Sequence, residues 1–204
     1  MNTITLLHGT DHIIEVPDIN IGNEHNDYGK GFYCTRSEEM AKEWACKQNT
    51  DGFINRYELN TKGLKILNLT DGNHTVLNWI ALLLKYRTFK LSSEIAVDAR
   101  DYIIENYSVD TSIYDVIVGY RADDSYFRYA ESFVSNGLPL RSLNQALKLG
   151  KLGEQTVLVS QKAFDRIKFT DASPVDKSIY YPKFLDRDTT ARKTYRQEIK
   201  KSKS

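Results

Sequence analysis

The chain predicts an α+β fold, because strand-like segments sit towards its two ends and helical ones between them, without regular alternation. Three observations carry this. Short β-branched or apolar runs at Thr3 to Leu7, Phe32 to Thr35 and Phe53 to Leu59 open the chain. Helical periodicity then dominates the middle, from Val76 to Leu149. β character returns from Gln155 to Ser160.

Taken in order, Thr3 to Leu7 is a short strand that delivers His8 at its end. Asp11 to Asn26 is polar and broken by Pro17 and Gly22, so it reads as a loop. After the strand at Phe32, Thr35 and Glu38 form a T-x-x-E capping box, and Met40, Ala41, Trp44 and Ala45 mark one face of the helix that follows. Phe53 to Leu59 and Leu64 to Leu67 are strands divided by the turn Asn60-Thr61-Lys62-Gly63.

A leucine-rich helix runs from Val76 to Tyr86 after Asp71-Gly72-Asn73, and a second covers Glu94 to Tyr107. Tyr114 to Val118 is a strand closed by Gly119. Asp123 or Asp124 caps a helix running to about Ser135, and Ser142 caps another to Leu149. Lys162 to Arg166 is a short helix, followed by the apolar pair Ile167 and Phe169.

At 204 residues, 41% of them hydrophobic and 27% charged, the chain is long enough for one domain with a substantial core. No run approaches the ~18 apolar residues of a membrane span, and Met1 to Thr5 carries no basic and apolar leader pattern. Two cysteines, Cys34 and Cys46, make neither a disulfide framework nor a four-ligand zinc site. A reducing cytoplasm is the expected compartment, with no membrane partner. Net charge is +1, yet Arg192 to Ser204 alone carries +5, leaving −4 on the remainder. Such a basic tail reads as a solvated end or as a weak attraction to anionic partners.

The four histidines, His8, His12, His25 and His74, come with no C-x-x-C pair, and no metal is expected. No G-x-S-x-G, P-loop or dinucleotide glycine motif occurs. Cys34 reads as a small core residue of its strand.

Two motifs point to chemistry. Leu6-Leu7-His8-Gly9-Thr10 sets a histidine, a glycine and a hydroxyl at a strand end. His8 is able to donate a hydrogen bond to a sugar hydroxyl, and Gly9 admits a primary amide close to the backbone. The second motif, Asp27-Tyr28-Gly29-Lys30-Gly31-Phe32-Tyr33-Cys34-Thr35, offers an aromatic face at Tyr33 behind two permissive glycines.

Together these motifs resemble the opening half of the NAD site of ADP-ribosyltransferases, in the branch of diphtheria toxin and the poly(ADP-ribose) polymerases. His8-Gly9-Thr10 resembles that branch's H-G-S/T, and Tyr28 to Tyr33 resembles its F-G-K-G-I/F-Y almost residue for residue. Trp44 stands eleven residues after Tyr33, at the spacing of the family's second ring-stacking aromatic. The resemblance implies two packed, mostly antiparallel sheets around an NAD cleft, with a helical insertion. It also implies that NAD is held by His8, Gly9, Thr10, Gly31, Tyr33 and Trp44, without metal. Ala41 stands where relatives often carry a small hydroxyl residue near the amide.

Relatives complete the site with a glutamate at the start of a late strand, which here corresponds to Leu152-Gly153-Glu154-Gln155-Thr156-Val157-Leu158-Val159. Aligning the acid selects Glu154, whereas aligning the apolar run selects Gln155. Neighbouring strand residues face opposite ways, so only one of them serves. A glutamine holds a hydroxyl but cannot take a proton.

The chain also resembles short bacterial proteins of unknown function that share H-G, G-K-G-F-Y and a later Ala-Asp-Asp, here Ala122-Asp123-Asp124. That resemblance spans most of residues 3 to 170, so residues 171–204 are expected to form an extension. The implied function is mono-ADP-ribosyl transfer from NAD to a protein or nucleic-acid acceptor, including a bacterial toxin role with an antitoxin partner. The alternatives are NAD hydrolysis, or a catalytically inactive module that binds NAD or ADP-ribose.

Overall fold

The computed structural model describes residues 2–91, 93–122, 124–137, 139–140 and 153–202. Asp123 and the helix expected from Ser142 to Leu149 lie outside these residues. Seven strands and six α-helices are described: β1 (Thr3–Thr10), β2 (Phe32–Cys34), α1 (Glu38–Ala45), β3 (Gly52–Asn60), β4 (Ile66–Asn68), α2 (Val76–Tyr86), α3 (Glu94–Tyr107), β5 (Val116–Tyr120), α4 (Asp124–Val134), β6 (Glu154–Leu158), α5 (Gln161–Phe164), β7 (Ile167–Val175) and α6 (Lys177–Ser202). The α+β class and the boundaries of α2 and α3 agree with the sequence reading.

The strands form two sheets. One is antiparallel with order β1-β3-β7; the other has order β2-β6-β5-β4 and is antiparallel except for the β4–β5 pair. They meet through the backbone where Leu7 and Thr35 exchange both N–H···O bonds, each at 2.8 Å. Side-chain alternation lets each strand serve two cores. Leu6 and Leu158 face a cluster between the sheets with Phe32, Tyr57 and Leu59, while Leu7 faces Ala41, Ala45 and Ile54 under α1. Val157 and Ile117 turn the other way, against α2.

Helix α2 is apolar nearly all round because it is the inner helix: Trp79, Ile80, Leu82 and Leu83 are fully buried, each such side chain contributing about 1.5–3 kcal/mol. Helix α3 buries Ala96 and Ile103 and leaves Ile95 and Tyr102 exposed. Serine, not threonine, caps α1. Ser37 Oγ accepts from Met40 N–H, whereas Thr35 Oγ1 donates to the Glu154 carbonyl at 3.1 Å and is thereby committed to β6.

β7 runs from 167 to 175, so the extension expected from residue 171 begins inside an edge strand, where Pro174 costs no ladder bond. The basic tail continues α6, and α6 lies on α1. Lys183 pairs with Glu39 at 2.9 Å, Arg187 with Glu43 at 2.6 Å, and Tyr180 and Tyr181 pack against the cluster under α1.

Candidate functional site

A cavity of about 680 Å³ opens where the two sheets meet. His8 of β1, Gly31, Phe32 and Tyr33 around β2, Gln155 of β6, and Phe184 and Leu185 of α6 all line it. Residues 8, 33 and 155 are thus brought together from three strands in two sheets. Gly9, Thr10 and Trp44 stand outside the lining, and Thr10 Oγ1 turns to Asp11.

His8 Nδ1 lies 2.7 Å from the Tyr33 carbonyl, and its ring rests on Phe32 with centroids 4.6 Å apart. A carbonyl only accepts, so Nδ1 carries the proton. Burial lowers the imidazole pKa, against a smaller opposing effect of that hydrogen bond, and the ring is neutral at pH 7. Nε2 is therefore an acceptor. This reverses the polarity expected from sequence: a ribose hydroxyl would donate to His8 rather than accept from it.

Gly9 has a packing reason. A Cβ there would lie 1.9 Å from the Ala41 carbonyl oxygen and 2.8 Å from the Ala45 nitrogen, so the glycine admits α1 against β1. Its backbone has a second property. Leu7 directs its N–H and C=O to Thr35, away from β3, and strand alternation places those of Gly9 on the same edge. Among the described residues no backbone hydrogen bond satisfies them.

Tyr33 presents its ring to the cavity while its hydroxyl holds the preceding loop. It donates to the Gly29 carbonyl at 2.6 Å and accepts from Tyr28 N–H at 3.0 Å. Gly29 needs its glycine for φ +76° and because a Cβ would meet the Tyr86 ring at 2.8 Å. Burial pushes the Tyr33 phenol well above its usual pKa, so it does not act as a base.

Between the two late-strand candidates, the structure places Gln155 in the cavity wall, 3% exposed, and Glu154 outside it on the exposed start of β6. The Gln155 amide donates to Asp27 Oδ2 at 2.9 Å and to the Tyr120 carbonyl at 3.2 Å. Asp27 also accepts from Arg87 Nη1 and from the Ala122 N–H, both at 2.8 Å. Sequence reasoning quoted Asp27 within the glycine motif but gave it no role, and passed over Arg87. Their signal was adjacency alone: Asp27 precedes Tyr28-Gly29-Lys30-Gly31, and Arg87 follows α2 directly. The Ala-Asp-Asp motif enters the site through its alanine, whose N–H and C=O meet Asp27 and Arg87 respectively.

The indole of Trp44, outside the cavity lining, has a cation for a neighbour. Arg121, a cavity-lining residue, lays its guanidinium over that ring, with Cζ 4.9 Å from the centroid. The Trp44 Nε1–H is buried with no hydrogen-bond acceptor among the described residues. Arg121 also escaped the sequence reading, although it adjoins Ala122.

Cys34 is fully buried and burial raises its thiol pKa, as suits a core residue. Among the described residues no group of three or more His, Cys, Asp or Glu is placed to hold a metal ion, and no helix is long and apolar enough to cross a membrane.

Fold and cavity together define an α+β protein with a cleft at the junction of two sheets. The chain belongs to the family described as protein of unknown function DUF3990, which matches residues 4–169. No curated protein and no solved structure matches it. The matched span ends within β7, so Phe184 and Leu185 reach the cavity from α6, beyond the family's extent.

Proposed function

We propose that the cleft binds NAD and transfers a single ADP-ribose unit from it to a protein or nucleic-acid acceptor, releasing nicotinamide. One observation carries the reading: His8, Tyr33 and Gln155, read from three separate motifs, line one cavity, with the unpaired backbone edge of Gly9 beside His8. In this reading the Gly9 N–H and C=O hold the carboxamide, the Tyr33 ring covers one nicotinamide face, and His8 Nε2 and Gln155 accept from ribose hydroxyls. Breaking the C1′–N1 bond sends its electron pair to nicotinamide. An acceptor oxygen or nitrogen attacks C1′ and gives up a proton. Positioning of the ribose would supply most of the acceleration, since no carboxylate stands where relatives carry one.

That same amide favours a second reading, in which NAD or ADP-ribose binds without turnover. Labelled NAD incubated with the protein and a cell lysate separates the readings, with a His8→Ala, Tyr33→Ala variant as control. Label on a protein or nucleic-acid band with wild type alone supports transfer. Free nicotinamide without a labelled band indicates hydrolysis, and calorimetric binding with neither product indicates the binding module. Absence of binding would sink all three.

A further inference from the structure

Gln155 and Asp27 are the two most enclosed polar side chains of the cavity wall, 3% and 6% exposed, and they touch at 2.9 Å. Both neighbours of Gln155 Nε2 are pure acceptors, a carboxylate and the Tyr120 carbonyl. The amide orientation is therefore unambiguous, both N–H protons are committed, and only the lone pairs of Oε1 remain for a ligand. Asp27 is held in turn from three sides, by Arg87, the Ala122 N–H and Gln155 itself. The Tyr120 carbonyl already accepts from the Tyr28 hydroxyl at 2.7 Å and the Trp79 indole at 3.1 Å, so neither acceptor is free to turn away.

Consider a carboxylate at position 155. Its oxygens would face Asp27 Oδ2 and a carbonyl, two acceptors at hydrogen-bond distance in a buried wall. Two carboxylates in that arrangement cannot both stay ionised, and one must take up a proton. The amide is the side chain of this size that satisfies both neighbours while neutral.

We infer that Asp27 is the positioning residue for Gln155: it selects an amide over a carboxyl at that position and aims Oε1 into the cleft as a neutral acceptor for a hydroxyl-bearing ligand. The inference rests on the NAD reading only in taking the ribose as the source of that hydroxyl. It implies that a simple return to glutamate at 155 creates a crowded acid pair instead of a working site. Asp27→Asn reverses the logic. An asparagine Nδ2 at the Oδ2 position gives up the bond from the Ala122 N–H and makes the glutamine turn its own Oε1 inward, presenting N–H to the cleft. Combined with Gln155→Glu, the same asparagine supplies the donor that a carboxylate needs.

The test compares full-length wild type, Asp27→Asn, Gln155→Glu and the double variant. Thermal midpoints are read at pH 8 and pH 5, and NAD binding is read by calorimetry. The charged and titratable groups facing the pair are Arg87 and Tyr28, with His8, Tyr33 and Arg121 on the same cavity wall, so each variant is referred to wild type at the same pH. Gln155→Glu melts below wild type at pH 8 and approaches it at pH 5, where the pair holds a proton. The double variant melts above Gln155→Glu at pH 8 and loses less than the sum of the two single losses, since its Nδ2 donates to the carboxylate at 155 while the Tyr120 carbonyl and the Ala122 N–H go unpaired. Asp27→Asn stays folded and binds NAD about tenfold more weakly, as expected for one misdirected hydrogen bond.

Equal midpoints for Gln155→Glu and wild type at pH 8, or a double variant whose loss is the sum of the singles, would overturn the inference. If Gln155→Glu does not fold, recovery of folding in the double variant supports it, and failure of both passes the decision to nitrogen-15 spectra. There the Gln155 side-chain amide should exchange slowly in wild type and rapidly in Asp27→Asn, and equal exchange counts against the role. Failure of wild type to bind NAD sinks the NAD reading alone, since the stability comparison needs no ligand.

Discussion

The guanidinium of Arg121 lies over the indole of Trp44, 4.9 Å from the ring centroid. A nicotinamide stacked on that face of Trp44 has to displace the cation, an interaction of about 0.5–2 kcal/mol. NAD binding should quench the fluorescence of Trp44. The only other tryptophan, Trp79, is sealed in the core and makes a constant background. Trp44→Phe should abolish the quench. Unchanged wild-type emission at saturating NAD would mean that Arg121 stays in place and the indole is no part of the clamp.

His8 predicts a pH window. Its imidazole is held below its ordinary pKa by burial, while the unfolded chain titrates near ~6.5. Below that value the unfolded state binds the proton more readily, so the His8 contribution is complete above about pH 6.5 and declines as pH falls towards the folded-state pKa. Urea unfolding at pH 7.5 and 5.5 should show a smaller loss of stability for His8→Gln than for wild type. Parallel losses would mean that the ring is not desolvated.

Gly9→Ala tests why the glycine is there. A methyl aimed at the backbone of α1 cannot be relieved by rotating a side chain. The substitution should cost about 1–3 kcal/mol by overpacking, visible as a lower thermal midpoint. If amide access were the sole requirement for glycine, the midpoint would not move.

Arg187→Ala removes the partner of Glu43, which is mostly enclosed between α1 and α6 and whose carboxyl is raised in pKa by that burial. An expected loss of about 1–3 kcal/mol, smaller than for a fully buried pair, should appear as faster hydrogen exchange along α6. Because Phe184 and Leu185 belong to the same helix, the cavity wall should loosen with it. Exchange confined to the last turn of α6 would argue that the pair anchors nothing.

Much of this was legible in local patterns. The apolar run from Val76 to Tyr86 marks α2 because that helix is the inner one, and the His8 and Tyr33 motifs fall on strands as read, although β1 runs on past His8 to Thr10. The choice between Gln155 and Glu154 was not legible, because β6 is buried on both faces, Val157 on one and Leu158 on the other; the structure decides it by leaving Glu154 at the exposed first position. What escaped depends on chain closure. Asp27, Arg87 and Ala122 become partners only when a loop, a helix C-terminus and a strand end converge across 35 to 95 residues. Thr35 looked like a helix cap because T-x-x-E is a local signature, yet its hydroxyl is claimed by Glu154, 119 residues away. The tail reads as polar and carries Pro182, which hides the fact that it is helical and reaches the site.

The Leu7–Thr35 bridge has a mechanical consequence. It works as the spine of a two-leaved book, and His8 and Cys34 are the first residues beside the binding on either page. Opening or closing the leaves changes the gap least at His8 and most at the outer margin. A ligand seated against the spine would keep its grip beside His8 while its far end swung with the covers.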